Sequence, residues 1–209
     1  NVRVNYSEGS HLYRQNCEPL AAADDRIAEA VQAAEMSDAA ILVLGLDPTI
    51  EGEQGDASNA YSSGDKETLE LPACQRRLLD AVVATGKPVV VLLASGGALH
   101  VEDGNAILQV WYAGQAGGTA LAEILFGEVN PSGRLPVTFP IRYEDTPAYP
   151  NFPGEGNDAY YGEGVFVGYR SYAKRKLAVQ YPFGCGLSYT DFSVELCENY
   201  FRWDMRTQE

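Results

Sequence analysis

Basic residues are scarce in this chain. Lys and Arg number 15 against 29 Asp and Glu, a net charge of −14. A surface of that sign repels nucleic acid and anionic lipid headgroups, which excludes both as partners. Histidine and cysteine are sparse too. His11 and His100 lie on separate segments, and Cys17, Cys74, Cys185 and Cys197 follow neither a zinc-site spacing nor a dense disulfide framework. Buried free thiols are therefore the expected state, and no metal or cofactor is expected. No apolar run approaches the roughly 20 residues that a membrane helix needs. The amino terminus, Asn-Val-Arg-Val-Asn-Tyr, has no initiator Met and no signal-peptide layout. Processing has removed a segment, or the chain is a piece of a longer one; a cytoplasmic location is favoured.

What is present suits one globular domain. At 209 residues, with 45% hydrophobic and 21% charged residues, the chain can bury a substantial core. Val2 to Tyr6 alternates apolar and polar and reads as a short strand. Ala22 to Ser37 reads as a helix, with Asp24 or Asp25 able to cap it and Ile27, Ala30, Val31 and Ala34 on one face. Ile41 to Leu46 is a run of branched apolar residues, the pattern of a parallel strand buried on both faces. Pro72 opens a second helix that Gly86 stops near Thr85, and Val89 to Leu93 is a second buried strand. Ala106 to Val110 forms a third strand, and Gln115 to Phe126 a third helix. Alternation of this kind predicts an α/β fold, a layered α/β/α sandwich with a mainly parallel sheet.

From Gly127 the character changes. Asn130-Pro131-Ser132-Gly133 is a turn signature, Leu135 to Phe139 a short strand, and the stretch 145–158 is rich in Pro, Gly and Asn. Aromatics then accumulate (Tyr160, Tyr161, Phe166, Tyr169, Tyr172, Tyr181, Phe183, Tyr189, Phe192) in an irregular carboxyl-terminal segment. They read as core filling or, alternatively, as a platform for the apolar faces of sugar rings.

Chemistry is concentrated in the loop after Leu46. Pro48 and the glycines that follow break the strand, and in open α/β sheets the carboxyl-terminal rim is where ligands sit. Glu51, Glu53 and Asp56 fall within six positions there, an arrangement suited to acid–base work on a neutral polar substrate. The alternative is a solvated acidic loop. A phosphate-binding loop is a poor reading, because three acids and no Lys or Arg follow the strand. Trp111 ends the third strand and shares this rim if the strands are parallel.

Several stretches, in order, resemble the carboxyl-terminal α/β sandwich domain of family 3 glycoside hydrolases, the β-glucosidase and β-xylosidase group. They are Leu44-Gly45-Leu46-Asp47 with Glu51-Gly52-Glu53-Gln54-Gly55-Asp56, Leu69-Glu70-Leu71-Pro72, and Gly86-Lys87-Pro88-Val89-Val90-Val91. Next come Ile107 to Gln115, the segment 125–140 around Asn130-Pro131-Ser132-Gly133-Arg134-Leu135-Pro136, Gly162-Glu163-Gly164 through Arg170, and Tyr181-Pro182-Phe183-Gly184-Cys185-Gly186-Leu187-Ser188-Tyr189. Cys185 stands where the family usually has Tyr or His, and Lys66 where Arg is common. The resemblance implies a retaining two-carboxylate mechanism on terminal β-D-glycosyl residues. It implies a nucleophilic Asp on a TIM-like barrel that 209 residues cannot also hold, and an acid/base Glu from this domain. Glu51 is the best match for that Glu and Glu53 the second, with Glu53, Asp56 and Trp111 as candidate substrate contacts. Residues 1–192 are expected to form the domain and 193–209 a tail or the start of a further domain. The fragment alone is expected to be inactive. The other reading is a stand-alone sandwich that binds carbohydrate or protein without catalysis.

Overall fold

A computed structural model describes residues 2–12, 24–48, 50–52, 66–193 and 195. Helix α1 spans Asp25–Glu35, strand β1 Ala40–Gly45, helix α2 Ala73–Val83, strand β2 Val89–Ala94, strand β3 Ala106–Gln109 and helix α3 Gly117–Leu125. The strands form one parallel sheet in the order β1-β2-β3, with Ala40 opposite Val89 and Gly45 opposite Ala94. Parallel neighbours need crossovers, and α2 supplies the one between β1 and β2. Because all three strands run the same way, the loops after Gly45, Ala94 and Gln109 share one rim.

The core sits on one face of this sheet. Leu42 and Leu44 of β1 and Val89, Val91 and Leu93 of β2 pack with Leu78, Leu79 and Val82 of α2 and Ala34 of α1. Each fully buried Leu or Val there contributes about 1.5–3 kcal/mol by its removal from water. Ile27 and Ala30 of α1 pack against the same cluster, as the helical spacing predicts. The other face of β1 is a correction to the expectation of full burial: Ile41 is 51% exposed and Val43 70%, whereas Leu92 on the same face of β2 is buried. Helix α3 has no buried residue, and among the described residues β1 has an apolar layer on one side only.

Other local expectations also change. The alternating stretch Val2 to Tyr6 forms no strand, and its three apolar residues are exposed; an isolated strand has no ladder to complete. Asp24 does not cap α1 through its side chain. It adopts a left-handed conformation, and its carboxylate pairs with Arg77 of α2. Ala22 and Ala23, assigned to this helix from the sequence, lie outside the described residues. Gly86 does end the α2 region, at φ 72°.

In the carboxyl-terminal part, β4 (Phe139–Pro140) pairs antiparallel with β5 (Val179–Tyr181), preceded by the short helix α4 (Tyr169–Arg175). Strand β4 is shorter than the Leu135–Phe139 run and begins only at its end; Leu135 instead pairs with Gly184 and Cys185 in a loop. Phe139 and Tyr172 are buried, but most of the aromatics are not, Tyr161 being 94% exposed. Core filling therefore does not account for the run within this chain. The two turn motifs find each other: Asn130 Oδ1 accepts from Ser188 Oγ and the Tyr189 amide, and Tyr189 Oη donates to the Ile124 carbonyl.

Candidate active site at the carboxyl-terminal rim of the sheet

The rim is built from the turns that follow β1 and β2 and from the residue pair after β3. Gly45 lets β1 reach it. Its φ of 146° suits glycine, and a Cβ at this position would lie 1.8 Å from the Ala94 carbonyl. Gln75, buried on α2, holds the same residue from the other side. Its Oε1 accepts from Gly45 N at 2.8 Å, and its Nε2 donates to Gly45 O and to Leu12 O, each at 2.6 Å. The backbone then turns, with Glu51 N donating to Asp47 O, and presents the Glu51 side chain across the rim.

There Glu51 meets the Ser95-Gly96-Gly97 turn that ends β2. Oε2 accepts from Gly96 N at 2.7 Å and Oε1 from Gly97 N at 3.1 Å. Tyr112 Oη donates to Oε2, and Lys66 Nζ lies 3.5 Å from Oε1. The side chains of Glu51 and Lys66 are only 12% and 20% exposed. Lys66 Nζ also donates to the Ala98 carbonyl at 2.7 Å. Close approach depends on the glycines: a Cβ at Gly96 would stand 3.2 Å from Glu51 Oε2, and one at Gly97 3.1 Å from Lys66 Nζ. Below the turn, Ser95 is fully buried and its Oγ accepts from Gln109 Nε2 at the end of β3.

Electrostatics follow from these contacts. Burial lowers the Lys66 ammonium below its ordinary value, opposed by the Glu51 carboxylate. Burial of the hydroxyl and the adjacent Glu51 carboxylate push the Tyr112 phenol well up, so it keeps its proton and acts as a donor.

Trp111 lies on this rim, half-buried, because β1 and β3 both run parallel to β2. Its ring packs edge-on against buried Phe139, centroids 6.4 Å apart. Its φ of 56° is unusual for a residue with a large side chain, and this bend carries the chain on to Tyr112, whose hydroxyl reaches Glu51. Glu53 and Asp56 lie outside the described residues. Tyr112, Lys66 and the Gly96-Gly97 turn are neighbours of Glu51 that were not among the site residues expected from the sequence. The signal was present in the Ser-Gly-Gly after β2 and the Trp-Tyr after β3, two turns that parallel strands must place beside Glu51. A recess of about 290 Å³ among Pro147, Asn151, Glu163, Phe166, Lys174 and Arg175 shares no residue with the rim.

Known proteins bear the same arrangement of elements. The model of the glycosyl hydrolase family 3 C-terminal domain matches residues 4–189. Thermostable beta-glucosidase B of Acetivibrio thermocellus is 39% identical over 194 residues, which is 91% of this chain and 24% of that protein. An exo-alpha-(1->6)-L-arabinopyranosidase of Bifidobacterium longum is 42% identical over 170 residues, 79% of this chain and 21% of that one. The crystal structure of the GH3 beta-glucosidase of Bifidobacterium adolescentis superposes with a TM-score of 0.75 at 44% identity, covering 90% of this chain and 26% of that one. The chain thus spans about a quarter of the length of the proteins it matches. With the family model running through sheet, rim and carboxyl-terminal turns alike, this chain belongs to the family 3 glycoside hydrolases, as their C-terminal domain.

Proposed function

We propose that this chain is the sandwich domain of a retaining β-glycosidase acting on terminal non-reducing β-D-glucosyl or β-D-xylosyl residues. Its part is to supply the acid/base carboxylate from the loop after β1, where Glu51 and Glu53 are the candidates. The observation that carries this is the position of Glu51 on the carboxyl-terminal rim, beside the turns after β2 and β3. In such a mechanism one carboxylate attacks the anomeric carbon while a protonated one assists the leaving oxygen, and the latter then activates water. The nucleophile would come from a TIM-like barrel outside this chain. A glucoside is favoured as substrate because relatives such as those from A. thermocellus and B. adolescentis are named beta-glucosidases. Residues 193–209 form the tail of the domain in this reading.

The test compares the barrel-containing enzyme with its Glu51→Ala and Glu53→Ala variants on nitrophenyl and alkyl β-glucosides. Loss of the acid should reduce turnover most where the leaving group is poor. Azide should restore turnover by attacking the stalled glycosyl-enzyme. If neither variant shows this pattern, the domain does not supply the acid/base.

A further inference from the structure

We infer that Glu51 is a positioning residue rather than the proton carrier: with Lys66 and Tyr112 it clasps the start of the loop after β1 onto the Gly96-Gly97 turn. This rests on the reading of the rim as a glycosidase acid/base site, and narrows it.

An ionised carboxylate offers about four acceptor positions, two on each oxygen. Around Glu51 three of these are met by hydrogen bonds, and the Lys66 ammonium stands 3.5 Å from Oε1. Oε1 faces the Gly97 amide and the Lys66 ammonium, and Oε2 faces the Gly96 amide and the Tyr112 hydroxyl. A general acid must turn an oxygen toward the leaving group, within about 2.6–3.2 Å. Here Oε2 already accepts two hydrogen bonds, and Oε1 accepts one and faces the Lys66 ammonium. A proton on either oxygen would also have to displace one of the donors. The turn matches the carboxylate closely, since a side chain on Gly96 or Gly97 would crowd Glu51 Oε2 or Lys66 Nζ.

The geometry also shows what such a clasp does. Glu51 follows β1 and Lys66 precedes α2, yet both close on one turn: Glu51 on the amides of Gly96 and Gly97, Lys66 on the carbonyl of Ala98. The two ends of the connection are therefore fixed to each other and to β2. Charge-assisted hydrogen bonds of this kind are about twice as strong as neutral ones. They fix the base of the loop to the rim, and a proton carrier needs that constancy to meet a leaving oxygen at hydrogen-bond distance.

The test has two arms. In the isolated chain labelled with [15N]glycine, the Gly96 and Gly97 amide protons should resonate downfield. In Glu51→Gln both should move upfield, and at least one should exchange about tenfold faster, the loss of one hydrogen bond to a charged group. Lys66→Met should shift them in the same sense and Lys66→Arg should restore them, which carries this arm if Glu51→Gln fails to fold. In the barrel-containing enzyme, Glu51→Gln should lower kcat by a similar factor for nitrophenyl and alkyl β-glucosides, without azide rescue. Amide signals unmoved by Glu51→Gln and Lys66→Met would overturn the clasp. Azide rescue of Glu51→Gln, with a selective loss on poor leaving groups, would overturn its role as a positioning residue. An enzyme inactive on every β-glycoside would refute the glycosidase reading while leaving the glycine signals to decide the clasp.

Discussion

Gln75 gives the most direct measure of how the scaffold holds the rim. Strand β1 is an edge of the sheet among the described residues, so Gly45 at its end has no ladder partner on the side away from β2. Gln75 supplies one: its amide answers both the N–H and the carbonyl of Gly45, and donates to Leu12 O as well. In Gln75→Ala these contacts are lost, and the buried Gly45 groups are left without them. A net hydrogen bond is worth about 1 kcal/mol and a buried unpaired polar group costs about 1–3 kcal/mol. The expected loss is therefore about 3–5 kcal/mol, a large share of the 5–15 kcal/mol that typically stabilises a domain. With a urea dependence of about 2 kcal/mol/M, the midpoint measured by circular dichroism should fall by about 1.5–2.5 M. Gln75→Met refills most of the space and should recover less than half of the loss, because Gly45 stays unpaired. A midpoint shift below about 0.5 M in Gln75→Ala, or full recovery in Gln75→Met, would refute the reasoning.

Leu79 has no exposed surface and sits at the centre of the α2–sheet contact, so Leu79→Ala should cost about 2–5 kcal/mol in the same urea titration. Gly45→Ala places a methyl 1.8 Å from the Ala94 carbonyl and should abolish the soluble folded chain, judged by its yield and near-ultraviolet dichroism. The Lys66 ammonium should titrate below 10.5 by its 13Cε shift, since burial lowers it, and lower still in Glu51→Gln, since the carboxylate is what opposes burial. The sign for stability follows: a cation lowered on folding destabilises the fold below its folded value, and the penalty is relieved as pH rises toward 10.5. An unchanged or raised Lys66 titration in Glu51→Gln would contradict this. The 209-residue chain alone should show no appreciable turnover of nitrophenyl β-glucoside or β-xyloside, because without the nucleophile no glycosyl-enzyme forms.

Much of the scaffold was legible because it is local. The branched runs 41–44 and 89–93, the helical spacing of Ile27, Ala30 and Ala34, and the Pro72 and Gly86 punctuation each act through neighbours in the chain. They fix strands, helices and the loop that carries Glu51. Parallel strands then oblige the loops after β1, β2 and β3 to share a rim, which places Trp111 and Glu51 at the same end.

What the sequence left open depends on groups distant along the chain. Ile41 and Val43 read as buried, since apolar runs are the same whether a layer covers one face or two; only the packed structure shows both exposed. The aromatics from Tyr160 to Phe192 have no helical or strand period that would point them inward, and their burial was decided by what packs over them. At the site, Glu51 stood out as an acid, but its donors did not. Tyr112 lies 61 positions away and the Gly96 amide 45, and a backbone N–H carries no mark in the sequence. The sequence determined that a carboxylate stands on the rim; tertiary structure decided that its oxygens face two amides, an ammonium and a phenol, because only folding brings those groups to one point.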